Sequence, residues 1–436
     1  MLQHSVQILD SGLELVRIPM ASISSVTALV LGNTGSRYEK PAQQGLAHFF
    51  EHMVFKGTKK YPDPQVLAST IDAVGAQSNA FTSKEYTGYY VKAASKHLER
   101  SLDVLSDMLL QPLIKPEDIE REKGVIIEEI NMYADSPMQD IDNVFDQLLF
   151  TNQGLGHDVI GTKETVNAMT HQDFLDLLSN WYGLSNLTLV LAGDAKVVDA
   201  ASTVELVSRL FGGEKKPQEK RVDHRIEVAP LLSGATTWKG SERLQVKTKQ
   251  TEQAHLMLGW PGLVRSDQRR YALALLSIVL GGNMSSRLFT EVREKRGLCY
   301  YVHSTVDYYH DAGVFGAAAG VDPRRIHEAI QVIIDEFQQL SLAKRAITQD
   351  ELDRAREFAM GTLVLSLEDS QSVAQYYGVR QLLQREIDPP DRVIERLKAV
   401  TLDEVNQLAQ TLLKPGEMRL ALIGPFEQTE FEKYVG

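Results

Sequence analysis

His48 and His52 stand four residues apart in the segment His48-Phe-Phe-Glu51-His52. On a helix this spacing puts two imidazoles on one face, about 40° apart around the axis and roughly 6 Å along it, so both can grip one ion. Glu51 is displaced around the helix from both histidines. From there its carboxylate can reach a water held by the ion without taking a ligand position. The order H-x-x-E-H is the inverted form of a zinc-binding helix motif. The chemistry it supports is metal-assisted hydrolysis with Glu51 as general base. Leu46, Phe49, Phe50 and Met53 surround these polar residues, so the helix has no clean solvent face and its histidines need partners.

A catalytic zinc takes three protein ligands and keeps one position open. The segment from Glu120 to Asn131 supplies the candidates, because Glu122 and Glu129 fall seven residues apart on a helical stripe with Ile119 and Ile126. A carboxylate on an apolar stripe is costly unless it is paired or bound to a cation. Two helical turns separate the pair by about 10 Å, too far for both to bind one ion directly. One is then a ligand and the other orients a histidine from outside. Glu128 points about 100° away and reads as solvated.

The elements that position these residues come in two related sets. Met169 to Asp194 lines up without a gap against Val400 to Pro425, each copy having a capping threonine (Thr170, Thr401) and an acid three residues on (Asp173, Glu404). A helix, a turn and an apolar strand ending in Gly193 or Gly424 follow in both. Between the copies, Gly212 to Arg221 is polar and punctuated by Gly and Pro, as linkers are. The expected organisation is a metal-bearing domain over 1–213, a linker over 214–235 and a homologous domain over 236–436. Strand-like runs at Ser25–Leu31, Thr87–Lys92 and Ala254–Gly259 alternate with helical patterns at Leu98–Leu110, Asp267–Leu280 and Glu351–Leu367, the last capped at Thr348. The fold class is therefore α+β, each domain a mainly antiparallel sheet with helices packed on one face.

At 436 residues the chain is long enough for two cores, and 43% hydrophobic with 24% charged residues describes a folded protein. The net charge of −12 disfavours nucleic acid or anionic lipid as the main partner and favours cationic ligands such as basic peptides. Nothing in the sequence reads as a leader or as a membrane span. The lone Cys299 suits a reducing cytoplasm.

Gly45 to Thr58, Asn79-Ala80-Phe81-Thr82, and Arg121-Glu122 leading to Glu129 together resemble the pitrilysin, insulin-degrading enzyme and mitochondrial processing peptidase family of zinc metallopeptidases. The resemblance runs over essentially the whole chain. It implies a peptide hydrolase with one zinc ion per chain and a third ligand 77 positions after the second histidine, which is Glu129, with Glu122 in support. It implies that Asn79, Ala80, Phe81 and Thr82 form an edge strand along which an extended peptide lies. Leu280 to Val302 is similar to the segment bearing the family's arginine and tyrosine, here Arg293 and Tyr300, with Tyr300 as the oxyanion donor and Arg293 fixing the peptide backbone. The duplicate of the histidine helix, near Val279 to Asn283, has no histidine, so the second domain builds no metal site of its own. A chain of two such domains is expected to enclose its chamber as a homodimer, or as a heterodimer with a related subunit. In it, Arg293 and Tyr300 of one subunit face the zinc of the other. The alternative is a non-catalytic partner subunit, but such proteins usually lose part of the motif that this chain keeps.

Overall fold

The structure, a computed structural model, describes residues 2–212 and 242–436. The expected linker, 214–235, lies wholly outside them. The described chain forms two compact α+β units.

The first unit is built on a six-stranded sheet of order β1-β2-β6-β3-β5-β4. Its strands are Ser5–Ile8, Glu14–Met20, Ser25–Gly32, Gln77–Thr82, Thr87–Ala94 and Leu187–Asp194, numbered β1 to β6. The second carries a five-stranded sheet of order β7-β11-β8-β10-β9, with strands Leu244–Thr248, Ala254–Pro261, Cys299–Tyr308, Gly313–Val321 and Arg419–Gly424, numbered β7 to β11. In each sheet one pairing is parallel, β2 with β6 and β7 with β11, and the rest are antiparallel. The order β2-β6-β3-β5-β4 repeats as β7-β11-β8-β10-β9, so the duplication seen in sequence is a duplication of topology. Its most regular part is the helix His171–Trp181, which maps residue for residue onto Leu402–Leu412, both entered through a capping box at Thr170 or Thr401.

The compact units are not the contiguous halves of the sequence. The helix α5 (Pro137–Leu149; α1 to α4 are Leu46–Met53, Pro64–Asp72, Leu98–Leu110 and Pro116–Asp135) belongs to the second unit, and the helix Ser370–Gln384 to the first. Phe145, Leu148 and Leu149 of α5 share a core with Met257, Ala421 and Ile423. Val373 and Tyr377 of the later helix share one with Val16, Ile18, Leu31 and Val190. Glu14, buried in β2, accepts from Gln381 Nε2 at 2.8 Å and Thr188 Oγ1 at 2.9 Å, so the carboxylate brought inside the unit is hydrogen-bonded there. The first sheet is thus flanked on both faces, by this helix on one side and by α1 and α3 on the other.

Candidate metal centre

The metal motif lies on α1, only eight residues long, a length at which packing rather than propensity sustains a helix. Phe49 meets Phe174 edge-on at 4.9 Å and Phe50 packs on Tyr182 at 4.5 Å, both rings fully buried. The N-cap, Gly45, has no side chain to satisfy the first helical N–H groups. Glu39 does so instead, its two oxygens accepting the N–H of Gly45 and of Ala47 at 2.7 Å each. Gly45 has φ +91°, and a Cβ there would fall 2.4 Å from the Ile160 carbonyl oxygen, so no other residue fits. The turn bearing Glu39 is held by the buried pair Arg37–Glu85 at 2.6 Å and by the Arg37 N–H donating to the Lys84 carbonyl. The sequence reading missed Glu39. Its signal was available: a short helix entered through glycine requires an acceptor from upstream.

Glu51 faces the sheet. Its Oε2 accepts from the Thr82 hydroxyl at 2.6 Å. Nearby lie two fully buried phenols, Tyr89 and Tyr182, whose hydroxyls are 2.8 Å apart and which feel the Glu51 charge. Burial pushes the Glu51 carboxyl above its ordinary range, against the Thr82 hydrogen bond and the His52 charge. A carboxylate raised in this way is a stronger base.

The helix α4 brings the two glutamates to α1 in different ways. Glu122, 3% exposed, accepts from His52 Nδ1 at 2.9 Å and, through its other oxygen, from Lys56 Nζ at 2.6 Å. Burial alone would raise its pKa, but these two hydrogen bonds outweigh burial and lower it. Glu129 turns its Oε2 toward the opposite edge of the same ring, 3.5 Å from His52 Nε2 and 3.7 Å from His48 Nε2. His48, His52 and Glu129 each offer a ligand atom within 4.8 Å of the others, the one such cluster of His, Cys, Asp and Glu among the described residues. Glu128 is exposed.

These separations test whether the residues fit a metal. Bonds of ~2.0–2.1 Å at tetrahedral angles place neighbouring donors about 3.3 Å apart. Separations of 3.5 and 3.7 Å are near that value and too long for good hydrogen bonds. The charge states fit as well. Burial, then the His52 charge, lowers His48 to about 4 despite Glu129, which leaves it a neutral ligand. At His52, burial opposes the charged form, but the hydrogen bond to Glu122 and the negative charge of Glu129 outweigh it and raise the ring to about 9. A metal entering here displaces that proton. His48 Nδ1 is buried with no hydrogen-bond partner among the described residues, so outer support falls on His52.

The edge strand β4 divides the quartet Asn79 to Thr82 between two faces. Ala80 and Thr82 face α1, Ala80 opposite Tyr89. Phe81 faces the other way, its ring lying over Gly88 and against Tyr86. Asn79 is exposed and its Oδ1 accepts the Ala80 N–H at 2.9 Å.

In the second unit, Arg293 lies in the π-helical turn Phe289–Glu294, where its guanidinium stacks on Phe289 at 4.9 Å and on Tyr300 at 5.5 Å. Tyr300 is the second residue of β9 and is 73% exposed.

Sequence comparison carries these features into one family. Residues 16–163 match the description "Insulinase (Peptidase family M16)", and residues 168–358 match "Peptidase M16 inactive domain". The chain belongs to the M16 family of zinc metallopeptidases. A Streptomyces coelicolor protein described as an uncharacterized zinc protease is 38% identical over 97% of this chain and 90% of its own length. The uncharacterized zinc protease YmxG of Bacillus subtilis is 35% identical over 94% of this chain and 96% of its own. The fold is shared with a protease from Helicobacter pylori, at a TM-score of 0.87 and 23% identity over 98% of this chain and 100% of that one. The M16 assignment and the His/His/Glu cluster make this chain a zinc metalloendopeptidase. Among the described residues no helix is long and apolar enough to cross a membrane.

Proposed function

We propose that this M16 protein cleaves extended peptides, or leader segments of longer chains, with one zinc ion held by His48, His52 and Glu129 and with Glu51 as the general base. The observation that carries the reading is the convergence of the three ligand atoms beside a half-buried, hydrogen-bonded glutamate that is not one of them. Bound there, zinc supplies Lewis acidity, which brings the pKa of a water to about 7 and polarises a carbonyl.

The protein's own groups do the rest. Glu51 takes a proton from the attacking water and passes it to the leaving amine. Glu122 keeps Nδ1 of His52 protonated, so that Nε2 is the nitrogen presented to the ion. The open edge of β4 accepts an extended peptide through backbone hydrogen bonds, which hold many sequences alike. Asn79 and Ala80 supply that edge. Phe81, turned to the opposite face, steadies the strand over Gly88. Tyr300 is the proposed donor to the tetrahedral oxygen and Arg293 the proposed anchor for the peptide backbone, supported by the exposure of Tyr300 and by the stacking that fixes the two side chains together. The active form is proposed to be a homodimer enclosing the substrate, with these two residues contributed to the zinc site of the other subunit.

Glu51→Gln is expected to keep zinc and lose peptide hydrolysis by at least ~10²-fold, while His52→Ala loses both. Full hydrolysis by Glu51→Gln would falsify the mechanism. Mixing Glu51→Gln with the Arg293→Ala, Tyr300→Ala double variant is expected to restore activity on subunit exchange. Proven exchange without recovery would refute the shared site.

A further inference from the structure

Glu51 is held by a residue of the strand that the substrate is proposed to line, and this contact has a consequence for catalysis. Thr82 Oγ1 donates to Glu51 Oε2 at 2.6 Å, the short distance of a hydroxyl bonded to a charged acceptor. Alternation along β4 turns Thr82 toward α1 and Phe81 away from it. Thr82 itself is not on α1. It is the last paired residue of β4, opposite Thr87, and the next residue closes the hairpin through the Ser83 N–H to the Tyr86 carbonyl. Thr87 Oγ1 in turn lies 3.2 Å from the Tyr182 hydroxyl. The hydroxyl is therefore mounted on a braced hairpin end, and threonine's branched Cβ restricts its χ1.

We propose that Thr82 is a positioning residue for Glu51: its hydroxyl occupies Oε2, fixes the plane of the carboxylate and leaves Oε1 as the oxygen that takes the proton. The inference rests on the peptidase reading above and gives Thr82 a duty distinct from binding substrate. A carboxylate free to rotate spends part of its time with neither oxygen aimed at the water, and a misplacement of about 1 Å can cost on the order of 10² in rate. Because the hydroxyl sits on the peptide-binding strand, displacement of that strand is felt directly at the base.

The test compares Thr82→Val, which keeps the shape and loses the donor, with Thr82→Ser, which keeps the donor. Thr82→Val is expected to lower kcat by about ten- to a hundredfold while KM, zinc content and zinc affinity stay close to those of the unsubstituted protein. Thr82→Ser is expected to recover most of the loss. Crystal structures supply a readout independent of turnover: the Glu51 carboxylate is expected in one orientation in the unsubstituted protein and rotated or split in Thr82→Val. If the unsubstituted protein, loaded with zinc, hydrolyses no peptide, the peptidase reading fails. Given activity in that protein, three results overturn the positioning role alone: an unchanged kcat in Thr82→Val, a Glu51 carboxylate unmoved in its crystal structure, or loss of zinc from that variant.

Discussion

Removing the Glu122 carboxylate tests whether the metal ligands depend on a partner outside the ion's reach. Glu122 makes two contacts, to His52 Nδ1 at 2.9 Å and to Lys56 Nζ at 2.6 Å. Without it His52 keeps its place on α1, but its ring is free to turn and its Nδ1–H is left without an acceptor. Loss of such an outer partner typically weakens metal affinity by about 10–100-fold, or about 1.4–2.7 kcal/mol. Glu122→Gln retains one acceptor oxygen but turns an amide nitrogen or an uncharged oxygen toward Lys56, so it is expected near the lower figure. Glu122→Ala is expected near the upper one. Lys56, whose side chain is 30% exposed, can turn to solvent in either variant, which keeps the loss local to the metal. The assay is competition for zinc against a chromogenic chelator near neutral pH, with circular dichroism to verify the fold and His52→Ala as the limit of a broken site. A zinc affinity in Glu122→Ala within about twofold of the unsubstituted protein would refute the argument, since it lies well below the range for a working outer partner.

Two further outcomes follow from side chains away from the ligands. Glu39→Ala removes both acceptors from the N-terminus of α1, so it is expected to destabilise the first unit by about 1–2 kcal/mol in urea unfolding and to weaken zinc binding in the same variant; unchanged values in both would show that α1 needs no cap. In the second unit, the buried Arg287 guanidinium holds Glu351 through two hydrogen bonds, at 2.7 and 2.8 Å. Burial would raise the Glu351 pKa, but Arg287 and the Thr348 N–H lower it from 4.5 to about 2. A carboxyl depressed on folding contributes stability above its unfolded pKa and loses it as pH falls through the folded value. Glu351→Gln is therefore expected to lower the melting temperature near neutral pH and to flatten its decline between about pH 4.5 and 2. An acid limb as steep as that of the unsubstituted protein would contradict the assignment.

What the chain's local pattern determined by itself was whatever depends on one helix or one strand. The spacing of His48 and His52 put both rings on one face of α1, and the stripe of Ile119, Glu122, Ile126 and Glu129 marked the buried side of α4, because helical periodicity is a property of the segment alone. The repeat of capping box, helix and strand was legible for the same reason and marked an internal duplication of α+β domains, while the strand order of each sheet came only from the structure. Tertiary structure decided everything that depends on which segment lies beside which. Helical geometry showed that Glu122 and Glu129 could not both reach one ion, but only the docking of α4 on α1 gave Nδ1 of His52 to one and turned the other toward both Nε2 atoms. The sheet pairing aimed Thr82 at Glu51 and Phe81 away from it, and the turn held by Arg37 and Glu85 carried Glu39 to the start of α1. The transfer of α5 to the second unit and of Ser370–Gln384 to the first had no local signature at all. An amphipathic helix declares that it has an apolar face, and the complementary surface on a distant strand determines where that face is buried.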